Sequence, residues 1–331
     1  MKVFILALFI LLFVSFVGCV KSKEELMFKA FQKKFNKVYS PNEKIYRFSV
    51  FKDNLNKIHQ HNQNPNNKFQ LGINQFTDLT NKEYQELYLM NELPKRKQIG
   101  KEYEYDPNLP TDDCVDWKDK GVVPNVIDQG QCGSCWAISA MEVIESCLAI
   151  DNGSLVKLSI QEIIDCDDGS YGCNGGWPKQ ALKWEQEQGG SCSAEDYPYT
   201  GMTERCKSNS CKPIKFSIEC FQVLTGNETE MAQICAQYGP LSAAIDASHF
   251  SFQTYVSGIY YEKDCSSTNL DHAVLVVGYC NSGDDKYWIV QNSWGSSWGM
   301  QGYIWMSRDK NNNCGIATDA WYCKDCHFDS N

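Results

Sequence analysis

Histidine is scarce in this sequence. The 331 residues hold five, and only His249, His272 and His327 lie beyond residue 110. Any imidazole chemistry in the larger part of the chain must come from one of these three. Positive charge is also short, with 31 Lys and Arg against 41 Asp and Glu. The deficit is uneven: residues 1–110 carry 17 basic against 11 acidic residues, net +6, and residues 111–331 carry 14 against 30, net −16. Phosphate binding needs a positive field, so a nucleic-acid partner for the second part is disfavoured. After the first twenty residues no apolar run is long enough to cross a bilayer, which argues against a membrane anchor. Internal repeats and long low-complexity tracts are lacking too.

What is present begins with Lys2 and an apolar run from Val3 to Val17 that ends in Gly18 and Cys19. That pattern reads as a secretory signal peptide over residues 1–19. Seventeen cysteines in an exported chain imply an oxidising compartment, where paired sulfurs are the default and a metal cluster is not. No metal and no cofactor are expected. Asn152-Gly-Ser154 and Asn227-Glu-Thr229 are candidate glycan acceptors in the same compartment.

Phe28, Phe31 and Phe35 recur at helical spacing within Glu25 to Val38. A second helix has a defined start, with Ser40 as N-cap, Pro41 at the first helical position and Glu43 three residues after the cap. Its residues Glu43, Arg47, Phe51, Asn54, Ile58 and Asn62 follow at steps of three or four and share one face. Phe69, Leu71 and Ile73 then alternate as in a short strand, and Gly72, Asn74, Phe76 and Asp78 follow at every second position. From Asn91 to Pro110 periodicity is lost, and this Lys-, Tyr- and Pro-rich stretch is a linker suited to proteolytic cutting.

Beyond it, Asp128-Gln129-Gly-Gln-Cys132-Gly-Ser-Cys135-Trp136 holds two cysteines three apart. Such a pair can be a thiol redox couple, half of a zinc site, or one structural and one reactive sulfur. Trp136, Ile138, Met141, Ile144 and Leu148 describe a buried helix stopped by Asp151-Asn152-Gly153, so Cys135 sits in its first turn, where a thiolate is favoured. Short strands are expected at 241–245, 273–279, 287–291 and 302–306. A helical half followed by a strand-rich half predicts an α+β architecture with two lobes and a site between them.

A reactive thiol needs a base. His249 reads as a surface turn residue, and His327 lies in the last five residues, where mobility would spoil catalytic geometry. His272 enters an apolar strand, and Asn292-Ser293-Trp294-Gly295 follows; an amide can orient an imidazole without taking its charge, and an indole can screen that bond from water. His272 lies 137 residues after Cys135, and Asn292 lies 157 after it.

The C-G-S-C-W stretch with distant His and Asn, together with the Glu43 to Asn62 face and the Gly72 to Asp78 run, resembles papain-family cysteine proteases of the cathepsin L-like branch. The resemblance covers the chain from leader to Cys314. It implies a papain-like α+β fold, with a helical lobe and a β-barrel-like lobe, preceded by a helical inhibitory prosegment. The expected division is signal peptide 1–19, prosegment and activation linker 20–110, and mature peptidase domain 111–331. It further implies Cys135 as nucleophile, His272 and Asn292 as partners, and Gln129 as oxyanion donor, a contribution of typically about 2.7 to 4 kcal/mol. Disulfides Cys132–Cys173, Cys166–Cys206 and Cys265–Cys314 are implied likewise. Within residues 111–331 nine further cysteines then remain besides Cys135, an odd number, so at least one of them is unpaired or intermolecular. The redox reading recedes, because the polar stretch before Asp128 offers no convincing strand of a βαβ unit. Cys323-Lys-Asp-Cys326-His327 has the form of a haem attachment site, but a bridge tethering the tail is the commoner use.

By the same resemblance an extended peptide lies across the cleft. Gly175, Gly176, Trp177, Pro178, Ala244, Leu270 and Trp294 would line its binding site, with Asp319 at the floor of the main specificity pocket. Cathepsin L itself has a small apolar residue there, so Asp319 would admit Lys or Arg beside hydrophobic residues. The expected partners are peptide and protein substrates, the chain's own prosegment and cystatin-type inhibitors, with the enzyme a monomer in the lysosome or outside the cell. The basic leader on an acidic body suggests release as carboxylates protonate below about pH 5.

Overall fold

The computed structural model describes residues 22–90 and 112–329. The N-terminal apolar run, the stretch from 91 to 110 and the cleavage point expected there lie outside the described residues.

The leader comprises α1 (Lys23–Lys34), α2 (Pro41–Asn62), β1 (Phe69–Leu71) and α3 (Asn81–Tyr88). Its helices start where side chains can satisfy orphan N–H groups. Ser22 and Glu25 form a reciprocal cap on α1, Thr80 and Glu83 do so on α3, and Ser40 Oγ accepts from Glu43 N on α2. Phe28 and Phe31 of α1 close on Phe51 of α2 as a small aromatic core. The first helix stops short of Val38, with Asn36 in the left-handed region at φ 52°.

The body runs β2 (Val115–Asp116), α4 (Cys135–Asn152), α5 (Ile160–Cys166), α6 (Pro178–Gln188), β3 (Gly190–Ser191), β4 (Ile214–Gln222), α7 (Glu228–Tyr238), β5 (Leu241–Ile245), α8 (Phe250–Gln253), β6 (Tyr255–Tyr260), β7 (His272–Ser282), β8 (Asp285–Gln291), β9 (Tyr303–Ser307) and β10 (Ala320–Phe328). Helices α4, α5 and α6 form one lobe. The strands form a sheet in the order β1-β6-β9-β8-β7-β5-β10-β4-β3, with β2 on β7. Every residue of α4 from Cys135 to Ala149 is buried, and Gly153 ends the helix at φ 75°.

One pairing joins leader to body. β1 adds antiparallel to β6, Phe69 opposite Gly258 and Leu71 opposite Tyr255, so main-chain hydrogen bonds dock the leader on a sheet edge. Phe69, Leu71, Phe76, Leu79, Tyr84 and Leu89 enter the same apolar core as Tyr260, Trp294 and Trp298 of the body.

Two expectations are corrected. His327 is not on a loose tail: it lies in β10 opposite Ser217, and its strand is tied by Cys323–Cys220 and Cys326–Cys147. Those separate bridges use both sulfurs of the C-x-x-C-H stretch. The strand-rich part also starts earlier than residue 241, at β4. Further bridges are Cys132–Cys173, Cys166–Cys206, Cys265–Cys314, Cys114–Cys280 and Cys192–Cys211. Cys135 and Cys235 are the free thiols among the described residues. No helix among those residues is long and apolar enough to cross a membrane.

Candidate active site

Cys135 is the first residue of α4, after N-cap Ser134. Ser134 has no capping side-chain bond; its hydroxyl pairs with the Tyr199 hydroxyl at 2.7 Å, and Tyr199 donates to the Gln129 carbonyl at 2.9 Å. The Cys135 thiol lies within reach of the Ala273 N–H, the residue after His272. His272 opens β7 and is fully buried, stacked on Trp294 at 4.6 Å between ring centroids. Its Nε2 donates to Asn292 Oδ1 at 2.7 Å, and Ser293 N–H donates to the same oxygen at 2.8 Å. Nδ1 has no hydrogen-bond partner. A neutral imidazole bonded this way keeps its Nδ1 lone pair open to take a proton.

Gln129 is buried and fixed from the other lobe: Ser293 Oγ donates to its Oε1 at 2.6 Å, and its N–H donates to the Ser293 carbonyl at 2.8 Å. Its Nε2 donates to the carbonyls of Cys132 at 2.9 Å and of Tyr88, from the leader, at 3.4 Å. The leader chain continues over the site, where the Met90 N–H donates to the Asp271 carbonyl at 2.8 Å and Met90 is buried in one apolar cluster with Cys135 and Trp136. Solvent is thereby excluded from the reacting groups. Burial pushes the Cys135 thiol up to about 12. Burial also pulls His272 down to about 4, against the opposing hydrogen bond to Asn292. Thiol and imidazole are both neutral in this state.

The remaining expected contacts can be placed. Gly176 has no room for a side chain, because a Cβ there would stand 2.5 Å from the Trp136 ring. Gly175 sits at φ 115°, Trp177 stands at the N-cap position of α6 without a side-chain capping bond, and Pro178 opens the helix. Ala244 of β5 lies opposite Ala273 and donates its N–H to the Asp319 carbonyl at 3.0 Å. Leu270 packs against Gly315. Asp319 is half-buried; its Oδ1 accepts from Trp321 Nε1 at 2.6 Å and from Gln222 Nε2 at 3.4 Å. Burial raises its carboxyl, with the Trp321 bond and Lys179 opposing.

The leader motifs divide between framing the leader and docking it on the body. Asn54 Nδ2 donates to the carbonyls of Thr77 and Leu79, and Asn62 exchanges two hydrogen bonds with Leu71. Arg47 bridges Glu43, Glu83 and the Asp78 carbonyl, and the Asp78 carboxylate takes Lys37 and Tyr39. Ile58 and Phe51 face inward. Gly72 is pressed against Val256, Asn74 donates to the Gln253 carbonyl, and Phe76 and Tyr84 stand edge-on to Trp294. His249 is no plain surface residue: it is paired with Asp246 at 3.3 Å, while the carbonyl of Ser248 accepts from Asn81 and Gln85 of the leader. Neither glycan candidate is idle, since Asn152 donates to the carbonyls of Leu148 and Cys326 and Asn227 caps α7.

Sequence reasoning missed Tyr199, Ser293, and the Tyr88 to Met90 segment that covers the site. Ser293 lies between Asn292 and Trp294; the other two carry no local signal.

Residues 111–324 match the family described as papain family cysteine protease, and residues 28–84 match the cathepsin propeptide inhibitor domain (I29). The chain is 42% identical over 299 residues to digestive cysteine proteinase 1 of Homarus americanus, covering 88% of this chain and 92% of that one. It is 42% identical over 295 residues to cathepsin L2 of Homo sapiens, covering 86% and 88%. The solved structure of digestive procathepsin L 3 from the Tenebrio molitor larval midgut superposes with a TM-score of 0.81 at 35% identity, over 92% of this chain and 100% of that one.

Proposed function

Because the chain belongs to the papain family of cysteine proteases and carries its inhibitory propeptide, it is a cysteine endopeptidase zymogen, and we propose that Cys135, His272, Asn292 and Gln129 perform the reaction. The observation that carries this reading is Cys135 at the start of α4, close to the strand that holds an Asn292-anchored imidazole with an unpartnered Nδ1. Once the leader leaves, water re-enters, both ionised forms regain solvation, and the proton passes from Cys135 Sγ to His272 Nδ1. The thiolate attacks the peptide carbonyl. Gln129 Nε2 and the Cys135 N–H hold the oxyanion, His272 protonates the leaving amine, and water then hydrolyses the thioester. In the zymogen the Tyr88 carbonyl takes up the Gln129 donor, which supports inhibition by occupation.

Removal of residues 20–110 at acidic pH is part of this proposal. Support comes from Glu83, where burial pushes the carboxyl up but the Thr80 hydrogen bonds and Arg47 outweigh it and hold it below the usual range. Such a carboxylate stabilises the leader above its ordinary value and ceases to as pH falls through the lowered one. Seven disulfides among the described residues support maturation in the secretory pathway, for the lysosome or the exterior. Cystatin-type proteins would act as inhibitors of the matured monomer.

Asp319 is the specificity residue of this reading. Its carbonyl bonds Ala244, one of the expected pocket walls, and its Oδ1 is already engaged by Trp321, so a basic substrate side chain would be met by Oδ2. With burial raising the carboxyl, preference for Arg over Leu at the second residue upstream of the cleaved bond rises with pH from 4 to 6.5.

The test is incubation of the full chain at pH 4.5 with peptide substrates, with and without a thiol-directed epoxide. Epoxide-sensitive hydrolysis is expected from the wild type and none from Cys135→Ala; activity in that variant would sink the assignment. In Asp319→Ala the Arg-to-Leu ratio should fall roughly tenfold at pH 6.5. An unchanged ratio would leave the hydrolase intact and remove Asp319 from it.

A further inference from the structure

Seven residues along α4 from Cys135, about 10 Å of helix rise, stands a carboxylic acid with no part in the chemistry above. Glu142 is 3% exposed. Its Oε1 accepts from Gln291 Nε2 at 2.8 Å, and the Gln291 amide is gripped on its other side, where Tyr303 O–H donates to Oε1 at 2.6 Å. Gln291 ends β8, is 1% exposed, and is covalently next to Asn292. Tyr303 opens β9 and lies opposite Gln291 in the ladder. The bond therefore spans the lobes just beneath the site, from the helix that presents Cys135 to the residue that precedes the imidazole's anchor.

We propose that Glu142 is a positioning residue for the peptidase, acting through Gln291 to tie the Asn292-bearing strand to the helix that carries Cys135. Two lobes that each supply half of a catalytic pair must keep their separation to a fraction of an ångström, and a hydrogen bond between dry partners fixes distance and direction where apolar packing alone permits sliding. Gln291 has no water to fall back on, so loss of its acceptor leaves a buried amide N–H unpaired.

A carboxylate accepts the Gln291 N–H at least as well as a carboxylic acid does, so what opposes ionisation of Glu142 is the dry surroundings of the tie. Burial pushes the Glu142 carboxyl well above its usual range, the Gln291 bond opposes this, and Glu145, one turn on, adds to it. Glu145 is itself raised to about 8 by burial, with the Leu158 N–H and Lys157 opposing. From β9 the Tyr303 phenol faces the pair and is raised by burial. From β7 and β8 the same core cluster receives Leu275, Val277 and Ile289, which offer no countercharge. A raised acid contributes stability that is complete below its unfolded value and is lost as pH rises through the folded one. The interface is thus suited to acid, and its alkaline failure should begin with charge forming at Glu142.

The experiment compares matured wild type, Glu142→Gln and Glu142→Leu, each produced as the full chain and counted by epoxide titration. It rests on the peptidase reading, and a wild type without activity would bear on that reading alone. The kcat and KM values of a peptide substrate are measured from pH 4 to 9, with thermal midpoints. Glu142→Gln keeps an acceptor for Gln291 and is expected to stay within about twofold of wild-type kcat at pH 5, with the alkaline limb moved to higher pH. Glu142→Leu is expected to lose roughly tenfold in kcat per titrated site with KM nearly unchanged, at temperatures well below its thermal midpoint, a split that simple destabilisation does not produce. Wild-type kcat in Glu142→Leu, an equal loss in Glu142→Gln, or coincident alkaline limbs for Glu142→Gln and wild type would each overturn the proposal.

Discussion

Where α1, α2 and α3 of the leader meet, Lys37 and Tyr39 reach Asp78, and Arg47 bridges Glu43 and Glu83. Where the same leader meets the body, Asn74, Gln75, Asn81 and Tyr84 donate to main-chain carbonyls of Gln253, Trp294, Ser248 and Ala247. One ion pair crosses that boundary among the described residues, Lys68 with Asp285, and it is exposed. The charge asymmetry of the sequence suggests docking by long-range attraction. The contacts instead divide the work: charge frames the leader, while apolar burial and main-chain hydrogen bonds fasten it. Acid should then act first on the leader's own frame, and salt should matter little.

That division can be broken most forcefully at Phe76. Phe76→Ala removes a buried ring set edge-on to Trp294, a loss of about 3 to 5 kcal/mol, and maturation of the full chain at pH 7 should accelerate at least about a hundredfold in a gel time course. A neutral rate unchanged from wild type would mean that burial does not fasten the leader. Asn74→Ala orphans the buried Gln253 carbonyl at about 1 to 3 kcal/mol, and roughly tenfold faster maturation is expected. Glu83→Gln removes a lowered carboxylate from the frame, so the pH midpoint of maturation should rise by a few tenths of a unit; a downward move would reverse the assigned role. The smallest effect belongs to Lys68→Ala or to high salt, since an exposed pair contributes about 0 to 1 kcal/mol, and the rate should change less than about fivefold. A larger salt response would restore the electrostatic account of docking.

How far the sequence could be read depended on how local each signal is. Ser40 and Pro41 announced α2, and Gly153 announced the end of α4, because capping involves residues a turn apart. The alternation of Phe69 and Leu71 marked a strand but not its partner, since nothing near it specifies Gly258 or Tyr255. Asn227 with Glu230 three residues on carries the mark of a helix start as well as that of a glycan acceptor, and in the fold Asn227 caps α7. A tethering bridge at Cys323 or Cys326 is readable from the sequence, but the ordered place of His327 is not, because a strand paired with β4 and tied to two distant cysteines has no local signature. Within the site, Cys135, His272 and Asn292 stand out by residue type and spacing, and Gln129 through the family resemblance. Tyr199 and Glu142 do not, because each matters through a partner 70 or 149 residues away.

The sequence by itself determined the caps, the periodic faces, the position of Cys135 at a helix start and, beyond residue 110, the odd number of cysteines besides Cys135, all properties of neighbouring residues or of arithmetic. Only the tertiary structure decided that Cys235 is the unpaired one, that Tyr88 and Met90 cover the site, and that Cys135 and His272 rest uncharged beneath them. The reason is desolvation: whether a group ionises depends on how much water reaches it, and that is set by segments remote in the chain that only folding brings together.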